Sequence, residues 1–159
     1  MIGNDCSVPR IVLDTNVCLD LLVFGDPACL PLHDALQRGV VHAMTRTDCR
    51  DEWLRVLHYP GLPVDEASRP ALVAAFDAWT HLASAPLIDG VARPLPRCAD
   101  PDDQKFLELA WETGARWLLS KDKELLKLAN RAQRVCRFAI LRPQEWSLVE
   151  PQHPVLDPP

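Results

Sequence analysis

The chain has 159 residues, 48% of them apolar and 25% charged, a size and composition that suit one globular core rather than a fibrous or disordered chain. A formal net charge of −5 argues against a protein that coats nucleic acid through a broad basic face, but not against an enzyme that gathers carboxylates around a metal ion. Six scattered cysteines without a C-x-x-C pair exclude the usual zinc spacing, and the opening "MIGNDCSVPR" has no apolar run, so free, mostly buried thiols in a cytoplasmic protein are expected, with no membrane span.

In chain order, "RIVLD" (10–14) reads as a short buried strand, and "NVCLDLLVF" carries helical spacing with Val17, Leu21 and Phe24 on one side. Gly25-Asp26-Pro27 ends that helix, and "CLPLHDALQRG" forms another that stops at Gly39. "VVHAMT" fits a second strand; Thr45 or Thr47 then caps a helix through "DCRDEWLRVLHYP", which Pro60 and Gly61 close. An amphipathic helix is expected over 65–82, a strand at "APLID" and a Pro-rich loop after it. "DQKFLELAWETGA" is a helix ending near Gly114, "RWLLS" a strand, "KDKELLKLANRAQR" a helix and "RFAIL" a last strand. A single domain over 9–147 and an unpacked Pro-rich tail over 148–159 follow. Strands alternating with helices predict an α/β fold, a three-layer α/β/α sandwich around a central parallel sheet.

In such sheets chemistry gathers at the carboxyl ends of the strands. Asp14 stands there, directly after Ile11-Val12-Leu13, and Asp122 occupies the same edge after "WLLSK". Asp103 opens its helix on a stripe shared with Leu107, Ala110 and Gly114, which leans it inward, and Glu52 sits on a helix with Val56 and Tyr59 one and two turns on. Four carboxylates on one edge repel one another unless a divalent cation lies among them, and oxygen donors select Mg²⁺ or Mn²⁺. Such a centre suits phosphodiester hydrolysis. Each acid also has a plainer reading: Asp103 as a first-turn acid, Glu52 as a solvated residue beside Arg50 and Arg55, Asp122 as a helix starter. Asp14 is the hardest to explain away.

"IVLDTNV", "DEWLRVLHYP", "DPDDQKFLELA" and "LLSKDKELL" together resemble, in order and spacing, the four signatures of PIN-domain nucleases. The closing "FAILRPQEW" resembles the last strand and turn of the branch described as toxin components of toxin–antitoxin systems. The resemblance covers about residues 9–147. It implies a compact α/β/α domain that binds Mg²⁺ or Mn²⁺ and cleaves RNA, with Asp14, Glu52, Asp103 and Asp122 as the catalytic, metal-site carboxylates. By the same resemblance Asn16 orients a ligand or water, Ser120 fills a place for a small hydroxyl residue, and Thr15 braces the turn. It further implies a cognate antitoxin protein as partner and a homodimer. Asp100 and Asp102 stay ambiguous, because "DPDD" offers three acids in four positions.

Lys121 stands where the family often has Gly, either touching phosphate or merely solvated, and the stretch 82–98 matches poorly. Arg46, Arg50, Lys105, Lys121, Lys123 and Lys127 lie near the expected active edge, as phosphate contacts or as an ordinary charged surface. Five tryptophans are expected to serve core or interface packing rather than base stacking. A phosphatase with a strand-end nucleophile is disfavoured because Asn16, not Asp, lies two places after Asp14, and there is no glycine-rich nucleotide loop. A non-catalytic PIN-like protein-binding module remains the alternative.

Overall fold

The computed structural model describes residues 7–84 and 95–148. At its centre lies strand β1 (Arg10–Leu13), whose Ile11 and Val12 are wholly buried, as expected for branched residues covered on both faces of a parallel sheet. β1 pairs in parallel with β2 (His42–Thr45) on one side and with β4 (Trp117–Leu119) on the other. β3 (Thr80–Leu82) and β5 (Ala139–Leu141) form the edges, giving a five-stranded all-parallel sheet in the order β3-β2-β1-β4-β5.

Alternate residues of each strand face opposite layers. Ile11, Leu13, Trp117 and Leu119 join one core with Val17, Leu21, Leu32, Trp53 and Phe76. Val12, Leu118 and Ile140 join the other with Phe106, Leu107, Leu109, Ala110 and Ala132. This is the expected three-layer α/β/α sandwich.

Helix α1 (Thr15–Leu19) runs into a π-helical segment, Asp20–Phe24, that Gly25 stops at φ 59°, so the helix expected over this stretch changes pitch midway. A 3₁₀ turn, Pro27–Cys29, capped by Asp26, leads into α2 (Leu30–Gln37). α3 (Thr47–Val56) takes Arg46, not a threonine, as its N-cap. The helix expected over 65–82 is shorter at both ends: α4 is Arg69–Trp79, and Thr80 passes at once into β3. Asp65 instead closes a turn with Ser68, accepting its backbone N–H at 2.8 Å. The strand expected at 85–89 lies outside the described residues, as does the tail beyond 148.

A 3₁₀ turn, Pro101–Asp103, opens α5 (Gln104–Thr113), which ends on Gly114 at φ 65°. After β4, the expected single helix is broken at Lys127 and Leu128 into α6 (Lys123–Leu126) and α7 (Ala129–Val135). Among the described residues no single helix is long and apolar enough to cross a membrane. Cys18, Cys29, Cys49, Cys98 and Cys136 are free and buried.

Candidate active site

The strand order reverses its direction of growth at β1: one neighbour, β2, is reached first in sequence, and the other, β4, much later. The loops leaving β1 and β4 therefore diverge above the sheet and leave a crevice at their carboxyl ends. Asp14 follows β1 into that crevice, with its backbone N–H on the Leu119 carbonyl at 2.9 Å. Ser120 and Asp122 follow β4 into the same place.

Asp14 is only 4% exposed. One carboxylate oxygen accepts the Thr15 N–H at 2.6 Å, which caps α1. The other accepts the Ser120 hydroxyl at 2.6 Å and the Asn16 amide at 3.3 Å. Burial nevertheless pushes its pKa up to about 6, against those hydrogen bonds and with repulsion from Glu52 and Asp122 added. Ser120 is fully buried, and its oxygen also accepts the Asp122 backbone N–H at 2.9 Å, so one hydroxyl ties the two strand-end acids together.

Asp122 caps α6 through Oδ1, which accepts the Glu124 N–H at 2.8 Å. Asp100 likewise caps the 3₁₀ turn, accepting the Asp102 N–H at 3.0 Å. Asp103 ends that turn, and its Oδ2 is a buried oxygen with no hydrogen-bond partner. Burial, then the charge of Asp14 and the adjoining Asp122 carboxyl, raise its pKa to about 7. Ligand atoms of Asp100, Asp103 and Asp122 all lie within 4.8 Å of one another. The sequence leaves Asp100 ambiguous, because "DPDD" offers three acids in four positions and Asp100 precedes the expected helix. In a 3₁₀ turn residues i and i+3 eclipse, so Asp100 and Asp103 share a side. The "DPDD" run, with proline at the first turn position, was the signal.

Glu52 approaches from α3. Its Oε2 accepts the Thr15 hydroxyl and its Oε1 the Lys105 ammonium at 3.1 Å. Thr15 thus braces Glu52 as well as its own turn. Lys105 also donates to the Asp102 carbonyl. Asn16 accepts the Lys121 backbone N–H at 3.3 Å, while the Lys121 ammonium pairs with buried Asp20 at 2.7 Å rather than with a site acid.

The other cations are mostly spoken for. Arg46 pairs with Asp48, Glu108 and Glu112, Arg50 with Asp77, and Lys127 with Glu124. Lys123 is exposed at the start of α6. Trp53, Trp117 and Trp146 are core residues, and Trp111 is 37% exposed.

The hollow thus holds clustered carboxylates, one with an orphaned buried oxygen, and the three clustered acids offer oxygen donors alone. That donor set fits a hard divalent cation. A family model described as PIN domain matches residues 10–124, from β1 into α6, a span that contains Asp14, Glu52, Asp100, Asp103 and Asp122. No curated protein matches the chain.

Proposed function

From the premise that this chain belongs to the PIN-domain family, we propose that it is a metal-dependent endoribonuclease that hydrolyses phosphodiester bonds in RNA. PIN domains are generally nucleases, and the described residues contain an acidic triad able to bind a cation. Asp14, Glu52, Asp103 and Asp122 surround the place of a Mg²⁺ or Mn²⁺ ion. When bound, that ion offsets carboxylate charge, polarises the phosphodiester and makes an attacking water more acidic.

The chain's own residues do the positioning. Ser120, Thr15 and Asn16 fix both oxygens of Asp14, so its carboxylate cannot turn away from the crevice. Thr15 and Lys105 fix Glu52 in the same manner. Backbone caps fix Asp122 and leave one of its oxygens for the site. Lys105 is held inside by Glu52, so the side chain we assign to RNA phosphates is Lys121, paired with Asp20 yet 45% exposed at the rim, which makes the activity salt-sensitive.

The observation that carries this reading is Asp103 Oδ2. A buried carboxylate oxygen without a donor, beside other carboxylates, costs free energy that a divalent cation recovers. The test is cleavage of mixed RNA with Mn²⁺ by the unsubstituted chain, Asp14→Asn and Asp103→Asn. Loss in both variants supports the reading; equal cleavage by all three sinks it.

The cellular role proposed is that of the toxin in a toxin–antitoxin pair, as a homodimer restrained by a cognate antitoxin. Its support is the closing stretch 138–146, which follows the matched span. Expression of the chain alone should arrest growth, and Asp14→Asn should relieve the arrest.

A further inference from the structure

Resting on the nuclease reading and refining its centre, the geometry points to a ligand set of Asp100, Asp103 and Asp122 for the divalent cation, with Glu52 held as the partner of Lys105 and not a direct ligand.

Both oxygens of Glu52 already have a partner in the protein. Oε2 takes the Thr15 hydroxyl and Oε1 takes Lys105, whose side chain is only 13% exposed and is anchored a second time on the Asp102 carbonyl. A cation bound by Glu52 would have to displace this ammonium, or sit against its positive charge in a poorly solvated place. The ion pair is instead the wall of the hollow.

Asp100 is the opposite case. Its Oδ1 accepts the Asp102 backbone N–H, and the 3₁₀ turn sets it on the side of Asp103. Asp122 uses Oδ1 in the same way to cap α6. Each therefore keeps a second oxygen beside the unpartnered Oδ2 of Asp103, a residue 92% buried by its 8% exposure. Among the described residues no Lys or Arg pairs with any of the three. Oxygens around a Mg²⁺ or Mn²⁺ ion at ~2.1 Å stand up to ~4.2 Å apart, so a triangle within 4.8 Å needs only small side-chain rotations to close. Asp14 stands beside the triangle and adds negative potential to it.

The experiment is a Mn²⁺ titration by calorimetry of the full chain, Asp100→Asn and Glu52→Gln, with RNA cleavage measured in parallel. Asn keeps the capping oxygen at position 100, so the turn is retained; Asp100→Ser, another uncharged cap, repeats the measurement should Asp100→Asn unfold. The ligand set predicts that loss of the Asp100 charge weakens Mn²⁺ binding at least about tenfold. Glu52→Gln should keep Mn²⁺ affinity within about threefold while losing cleavage, because it disrupts positioning only. Tenfold weakening in Glu52→Gln, or unchanged affinity in the Asp100 variants, overturns the ligand set and leaves the nuclease reading standing. No Mn²⁺ uptake by the unsubstituted chain overturns both together.

Discussion

Two groups of acids are settled differently, one between α3 and α5 and the other in the crevice above the sheet. In one, the Arg46 guanidinium meets Asp48 at 2.8 Å, Glu112 at 3.1 Å and Glu108 at 3.7 Å. In the other, Asp14, Asp100, Asp103 and Asp122 crowd the crevice, and the lysines nearby are engaged with Glu52 and Asp20 instead. The hydrogen bond from Arg46 holds Asp48 down at about 2, whereas burial lifts Asp14 to about 6 and Asp103 to about 7. Carboxylates lock the fold where the chain brings its own cation. Where the chain brings none, it leaves a demand that an ion from solution can meet.

The largest effect should come from Asp103→Asn. Cleavage of RNA should fall at least about 100-fold in a gel assay, while the metal-free protein should gain about 1–2 kcal/mol at pH 8 in urea unfolding, because a repelled buried charge has gone. A loss of stability would erase the contrast between the clusters. Arg46→Ala should do the reverse, costing about 2–3 kcal/mol by the same measurement, since it breaks the pair with Glu112, whose side chain is only 7% exposed.

A pH series sharpens the comparison further. Asp14 and Asp103 hold protons more tightly folded than unfolded, so their contribution is whole below about pH 4 and is lost as pH rises through about 6 and 7. Asp48 runs the other way: its contribution is whole above about pH 4 and is lost as pH falls through about 2. Without divalent ions the melting temperature should therefore decline between pH 5 and pH 8, and Mn²⁺ should remove most of that decline. A flat profile without metal would show that the crevice acids are not strained. The smallest effect belongs to Arg50→Ala, which breaks an outer pair with Asp77 whose side chains are 33% and 45% exposed; unfolding should shift within about 0.5 kcal/mol.

Much of the architecture was legible because it depends on short-range patterns. The apolar run at Ile11–Leu13 followed by Asp14 marks a buried strand and its exit, and the Leu107/Ala110 stripe turns α5 inward, carrying Asp103 with it. The parts that were not legible lack local punctuation. α4 passes into β3 between Trp79 and Thr80 with no Gly or Pro, so an amphipathic pattern runs on where the backbone turns extended at φ −110° and ψ 152°. The break between α6 and α7 likewise has no breaker residue. Asp100 was obscured because it lies before the expected helix, in a 3₁₀ turn that the sequence does not mark off from α5. The commitments of Lys105 and Lys121 were beyond reach, since their partners lie 53 positions away in one case and on the π-helical segment in the other.

The Ser120 hydroxyl on Asp14 spans 106 positions of sequence and joins the first strand to the fourth. No early portion of the polypeptide can assemble the cation hollow, since one rim is still unsynthesised while the other is already outside the ribosome. A nascent chain therefore has nothing to arm until Asp122 has emerged and β4 has docked. A fragment that ends upstream of that point lacks Ser120 and Asp122 and cannot complete the acidic cluster.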